Sequence, residues 1–169
     1  MLFVTIEVGG FMKNIRVGID IGSTTVKVVV MNEKKEIKFS AYERHYSDTK
    51  STIIKLLKEI KEQFKEYKFQ FTLTGSGAIS ISKHLEIPFV QEVIACKNAI
   101  EEYAPSADVA IELGGEDAKI IYFTGGIEQR MNGSCAGGTG AFLDQMAVLL
   151  NTTTEGLNEL AKSGTNIYP

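Results

Sequence analysis

The chain has 169 residues, enough for one complete hydrophobic core and part of a second. Its 44% hydrophobic and 23% charged residues are ordinary for a globular protein, and no apolar run approaches the roughly 18 residues that suggest a membrane span. A net charge of -3 speaks against a general nucleic-acid binder, and two cysteines do not make a secreted disulfide scaffold, so a cytoplasmic protein is expected, with no nucleic-acid and no membrane partner.

Residues 1–13 are apolar but lack a basic n-region and a small-residue cleavage site, so they read as an N-terminal extension rather than a signal peptide, with Met12 as an alternative start. Residues 14–105 form the first predicted domain. Ile15 to Ile21, Val26 to Met31 and Ile37 to Arg44 read as three strands of an antiparallel meander, with Gly22-Ser23-Thr24-Thr25 as the first turn. Asp48 to Tyr67 has helical spacing, with Ser47 or Asp48 as its cap. The charge run from Lys55 to Lys68 alternates in sign and reads as a solvated helix face. Phe69 to Thr74 is a strand closed by Gly75-Ser76-Gly77, a turn that admits both a cleft-lining and an ordinary reading. A short helix through Ile81 and Leu85, an extended Pro88-Phe89-Val90 and a helix from Glu92 to Tyr103 follow. Cys96 is expected as a core thiol of that last helix, and His45 and His84 lack metal-spaced partners.

Residues 106–169 form the second predicted domain, which looks cut short. Val109 to Leu113, Lys119 to Phe123 and Ile127 to Met131 read as strands, with Gly125-Gly126 as a turn. A glycine-rich loop from Gly133 to Gly140 leads into a helix from Ala141 to Leu150, then a helix from Thr152 to Ala161 capped by Thr153 or Thr154. No further strand follows, and an exposed second core is expected to promote dimerisation.

Self-similarity is the strongest signal in the chain. Ile19-Asp20-Ile21-Gly22-Ser23-Thr24-Thr25-Val26-Lys27 and Ile111-Glu112-Leu113-Gly114-Gly115-Glu116-Asp117-Ala118-Lys119 share one pattern: apolar, acid, apolar, Gly, four variable residues, Lys. An acid at a strand end before a Gly-centred turn sets a carboxylate beside bare backbone N–H groups. Those groups and the hydroxyls of Ser23, Thr24 and Thr25 can hold phosphate oxygens, while the carboxylates can hold Mg²⁺ directly or through water. Gly22, Gly114 and Gly115 would let the backbone approach a ligand closely. A single copy reads equally as a tight hairpin turn. Two matched copies predict a pair of hairpins clamping one triphosphate. Lys27 and Lys119 are expected to pair locally, with Lys27 also a candidate phosphate contact.

At these residues the sequence resembles the actin/hexokinase ATPase superfamily. Gly18 to Thr25 looks like its first phosphate motif and Ile111 to Lys119 like its second, with Glu112 where the superfamily carries Asp. The resemblance implies an α/β fold: an RNase H-like (actin-like ATPase) domain with a mixed five-stranded sheet, plus the start of a second similar domain. It also implies ATP/ADP and Mg²⁺ as cofactors, with Asp20 on the metal. Asp20, Glu112, Glu116 and Asp117 become the candidate catalytic acids.

Asn132-Gly133-Ser134-Cys135-Ala136-Gly137-Gly138-Thr139-Gly140 and the helix after it narrow the likeness. They resemble the BadF/BadG/BcrA/BcrD-type ATPases that activate 2-hydroxyacyl-CoA dehydratases, and Glu112 to Asp117 is most similar to their large, multidomain members. In that family two subunits share one [4Fe-4S] cluster. This implies a homodimer, a dehydratase-type partner and an iron–sulfur role for Cys135, which stands in a glycine-rich loop ahead of a helix N-terminus, where a thiolate is stabilised. The family's second cysteine has no counterpart before Pro169, so a bound cluster and full ATPase activity are not expected of this chain by itself. The rival readings are a sugar or small-acid kinase, which has no use for Cys135, and a non-enzymatic nucleotide-gated module.

Overall fold

The computed structural model describes residues 4–5, 13–126, 128–132 and 139–166. The chain divides into two compact units, Met1–Ala104 and Pro105–Pro169. In the first, strands β1 (Val4–Thr5), β2 (Lys13–Ile21), β3 (Thr25–Met31), β4 (Ile37–Arg44) and β5 (Tyr67–Thr74) form one sheet in the order β1-β5-β2-β3-β4. β2, β3 and β4 are an antiparallel meander, β5 runs parallel to β2, and β1 lies antiparallel on β5. The sheet is therefore mixed, as the resemblance implies.

Alternation along β2 and β3 explains this layer. Ile15, Val17, Ile19 and Ile21 face one side with Val26, Val28 and Val30, and all are buried. Helix α1 (Thr49–Gln63) lays Leu56 and Ile60 over that side, with Phe64 just beyond its end. Each such side chain contributes roughly 1.5–3 kcal/mol by leaving water. The same alternation turns Asp20 and Lys27 to the opposite face. Asp48 caps α1, its Oδ1 accepting the Ser51 N–H at 3.1 Å.

The end of the first helix differs from the sequence reading, whereas Pro88 to Val90 is extended as expected. α1 stops at Gln63 rather than reaching Tyr67, because Tyr67 is taken by β5, where it pairs with Lys13. Pro88 to Val90 is a minimal strand: Leu73 N–H donates to Pro88 O at 2.8 Å, and Val90 N–H to Leu73 O at 2.9 Å. Helices α2 (Ile79–Leu85) and α3 (Glu92–Tyr103) follow β5. Cys96 is half-buried on α3 rather than in the core. α3 buries none of its residues completely, so its packing is looser than that of α1.

The second unit holds β6 (Val109–Leu113), β7 (Ala118–Tyr122) and β8 (Glu128–Met131), an antiparallel meander in that order, with α4 (Gly140–Leu149) and α5 (Thr154–Lys162). Thr153 caps α5, its Oγ1 accepting the Gly156 N–H at 3.1 Å. Ile121 and Ala147 are buried, whereas Val109, Ile111 and Leu113 lie exposed along one face of β6. Cys135 lies outside the described residues, as do Ile127 and the loop from Gly133 to Gly138. No described helix is long and apolar enough to cross a membrane.

Candidate functional site

The two sequence repeats fold into the same turn. Asp20 stands opposite Lys27 in the β2–β3 pair, and Glu112 stands opposite Lys119 in the β6–β7 pair. Gly22 N–H donates to Thr25 O at 2.9 Å, and Gly114 N–H donates to Asp117 O at 2.8 Å. The structure brings each acid to its lysine: Lys27 Nζ reaches Asp20 Oδ2 at 2.7 Å, while Lys119 Nζ lies 3.6 Å from Glu112 Oε1 and 3.9 Å from Asp117 Oδ1. The first pair is tighter, and Lys27 also sits 5.6 Å from the centre of the Tyr42 ring. The second lysine is more deeply buried. Ser23 and Glu116 occupy exposed positions in their turns, Thr24 is half-buried, and Thr25 is buried.

Only one of the two leading glycines is required by packing within its own turn. A Cβ at Gly114 would stand 2.8 Å from Asp117 Oδ1 and 2.9 Å from Asp117 O. One at Gly22 would meet Thr25 O at 3.5 Å, an ordinary contact.

Parallel pairing of β2 and β5 adds a third element at the first turn. The carboxyl ends of both strands lie side by side, with Asp20 opposite Thr74, a position where open α/β sheets commonly bind ligands. The next residue, Gly75, has φ +95°, and a Cβ there would stand 2.4 Å from Ile21 O and 2.5 Å from Asp20 Oδ1. Ser76 N–H then donates to Glu92 Oε1 at 3.1 Å. The Gly75 turn thus packs directly against the Asp20 carboxylate and draws a second acid to the same end of the sheet. The sequence favours neither reading of this turn, because its proximity to Asp20 comes from strand pairing and carries no local spacing signal.

His45 lies at the same turn. It is buried just past β4, with Nε2 3.3 Å from Gly22 O. In the second unit the corresponding carbonyl, Gly114 O, accepts the Gly140 N–H at 3.0 Å, and Gly115 O accepts the Ala141 N–H at 2.8 Å. The first two amides of α4 are therefore bonded to the second turn.

Asp20 and its surroundings fit a hydrated Mg²⁺ carried by a phosphate. Thr74 Oγ1, in the row beside Asp20, is buried with no hydrogen-bond partner among the described residues. On the same face, a Cβ at Gly18 would meet nothing within 4 Å. Mg²⁺ needs only one or two carboxylates when phosphate and water complete its shell. Among the described residues no three His, Cys, Asp or Glu side chains gather as a self-sufficient metal cage. An iron–sulfur cubane takes four thiolates. This sequence carries Cys96, half-buried on α3, and Cys135, outside the described residues.

Residues 17–168 match the model of the BadF/BadG/BcrA/BcrD ATPase family. The chain belongs to that family. Among its relatives, the activator of lactoyl-CoA dehydratase from Anaerotignum propionicum is 32% identical over 157 residues, 90% of this chain and 60% of the relative. The (R)-2-hydroxyglutaryl-CoA dehydratase activating ATPase of Acidaminococcus fermentans is 31% identical over 154 residues, 88% of this chain and 58% of the relative. The crystal structure of that dehydratase's component A is similar with a TM-score of 0.78 at 26% identity, covering 92% of this chain and 61% of that one. The activator of the 2-hydroxyisocaproyl-CoA dehydratase from Clostridium difficile, solved with bound ADPNP, gives a TM-score of 0.75 at 25% identity, covering 91% and 59%. The fold is thus that of the actin-like ATPase activators. The chain spans about three fifths of the length of these family relatives.

Proposed function

We propose that this chain is the nucleotide-binding front part of an ATP-hydrolysing activator, acting as a homodimer that passes electrons to a 2-hydroxyacyl-CoA dehydratase-type partner. The observation that carries the proposal is the repeated turn: the same acid–lysine pairing and the same Gly N–H bond at Asp20 and at Glu112. A lone hairpin of this kind has many explanations. Two, in a chain of this ATPase family, are supported as phosphate-binding turns.

In this reading Ser23 and Gly115 offer their backbone N–H groups, and Ser23 and Thr24 their hydroxyls, to the phosphates of ATP. Asp20 would hold the metal, which would supply charge neutralisation at the phosphoryl group. Glu116 or Asp117, after the second turn's glycines, would orient the attacking water or the metal. Glu112 and Asp117 share Lys119 and fix the second turn. Bonds from Gly140 and Ala141 support a route by which a change at Gly114–Gly115 reaches α4. A cluster at Cys135 would take four thiolates, drawn from both subunits of the homodimer.

The test is calorimetric titration of the chain with Mg-ATP, with Asp20→Asn and Glu112→Gln alongside. Saturable binding that both substitutions weaken supports the reading. Absence of binding at millimolar nucleotide, or binding indifferent to both substitutions, overturns it.

A further inference from the structure

We infer that His45 is a positioning residue for the first phosphate turn: its Nε2–H holds the Gly22 carbonyl back and so aims the Ser23 N–H outward. The inference rests on the proposed role of that turn and names a side chain that sets its geometry.

The argument starts from the ring. Ser47 N–H donates to His45 Nδ1 at 3.1 Å. An N–H can donate only to an unprotonated ring nitrogen, so Nδ1 carries no proton. In the neutral imidazole the proton then resides on Nε2, which makes Nε2 a donor to Gly22 O at 3.3 Å. The backbone of the same residue contributes a further bond, His45 N–H to Thr24 O at 3.2 Å. One residue thus holds two carbonyls of the turn.

Peptide planarity carries this to the ligand side. The Gly22 carbonyl and the Ser23 N–H belong to one trans peptide and point in opposite directions. With the carbonyl fixed towards His45, the Ser23 N–H points away from it, and Ser23 is the exposed member of the turn. An outward N–H beside a carboxylate-bound cation is what a phosphate oxygen needs.

Two further features support the assignment. Tyr46 and Ser47 have φ of +45° and +68°, consecutive left-handed residues without glycine, and this rare conformation brings the Ser47 N–H back onto the ring. The second repeat shows the same restraint with a different donor, since Gly114 O is held by the Gly140 N–H at 3.0 Å. The carbonyl of the leading glycine is tied back in both turns.

The test separates the two ring nitrogens. Gln places an amide NH₂ near the Nε2 position and keeps the donor to Gly22. Asn keeps an acceptor near Nδ1 and loses that donor. Each variant is first checked for an unchanged circular dichroism spectrum. If the inference holds, His45→Gln stays close to wild type in Mg-ATP affinity, while His45→Asn and His45→Ala lose about fivefold or more, the scale of one hydrogen bond. Nitrogen-15 spectra of the nucleotide-free chain should show the Nε2–H tautomer at His45. Three variants indistinguishable from wild type, a Gln variant as weak as Ala, or an Nδ1–H tautomer would each overturn it. If wild type does not bind Mg-ATP, the phosphate reading fails and takes this role with it, while the tautomer spectrum reports separately whether His45 still braces the turn.

Discussion

Lys27 and Asp20 face each other directly across the β2–β3 pair, their side chains joined at 2.7 Å on the face away from the core. The pair is partly open to solvent, with side chains 38% and 29% exposed, so the ion pair itself contributes little to stability, about 0–1 kcal/mol. Its position matters more than its energy. Asp20→Asn should therefore leave the thermal midpoint within a few degrees of wild type. Mg-nucleotide affinity should fall roughly tenfold or more, since a metal-directed charge is lost. A melting curve and a binding titration on the same sample check both halves.

Gly75 is the most constrained glycine near this pair. Ala at this position would have to keep φ near +95° with its Cβ inside contact distance of Ile21 O and Asp20 Oδ1. Gly75→Ala should destabilise the first unit by roughly 1–3 kcal/mol and weaken nucleotide binding together, because the turn it distorts presses on the Asp20 carboxylate. Urea denaturation and a titration measure the two effects.

Leu56 and Ile60 are buried where α1 meets the sheet. Leu56→Ala removes the centre of that contact and should cost about 2–5 kcal/mol in urea denaturation. Asp20 points to the opposite face of the sheet from this side chain. At temperatures where the variant remains folded, its nucleotide affinity should match wild type.

Asp48 gives a pH-dependent prediction. The Ser51 backbone N–H holds its carboxyl below the usual carboxylate value, with the Ser51 side chain adding to the effect. A depressed value in the folded state means the cap stabilises above the unfolded value, about 3.9, and that its contribution fades as pH falls through the folded one. Asp48→Ala should melt a few degrees below wild type at neutral pH, and the gap should close as pH drops below about 4. A gap that persists at pH 2 would point to packing rather than the charge.

Much of the fold was legible because its signals are local. Period-two alternation in Ile15 to Ile21 and Val26 to Val30 placed β2 and β3, and helical spacing placed α1 and α3. The paired turns were legible because a repeat is a property of sequence alone. What escaped depends on distant partners. Nothing near Tyr67 announces that β5 will claim it from α1. Nothing near Gly75 announces Asp20, more than fifty residues earlier. His45 looked idle because it has no spaced ligand partner, and its bond to Gly22 crosses from the end of β4 to the β2–β3 turn. Expecting Cys96 in the core failed for a related reason: apolar neighbours on a helix show amphipathicity but not how closely the helix will pack.

The unequal bracing of the two turns has a consequence for how each half tolerates change. An imidazole can be removed by one codon, so the first half depends on keeping a particular residue at position 45. The bonds from Gly140 and Ala141 come from main chain, which no substitution short of proline deletes. Random mutagenesis should therefore find changes that release the braced carbonyl at the donor itself in the front half, and in the back half at positions that crowd or displace the start of the helix.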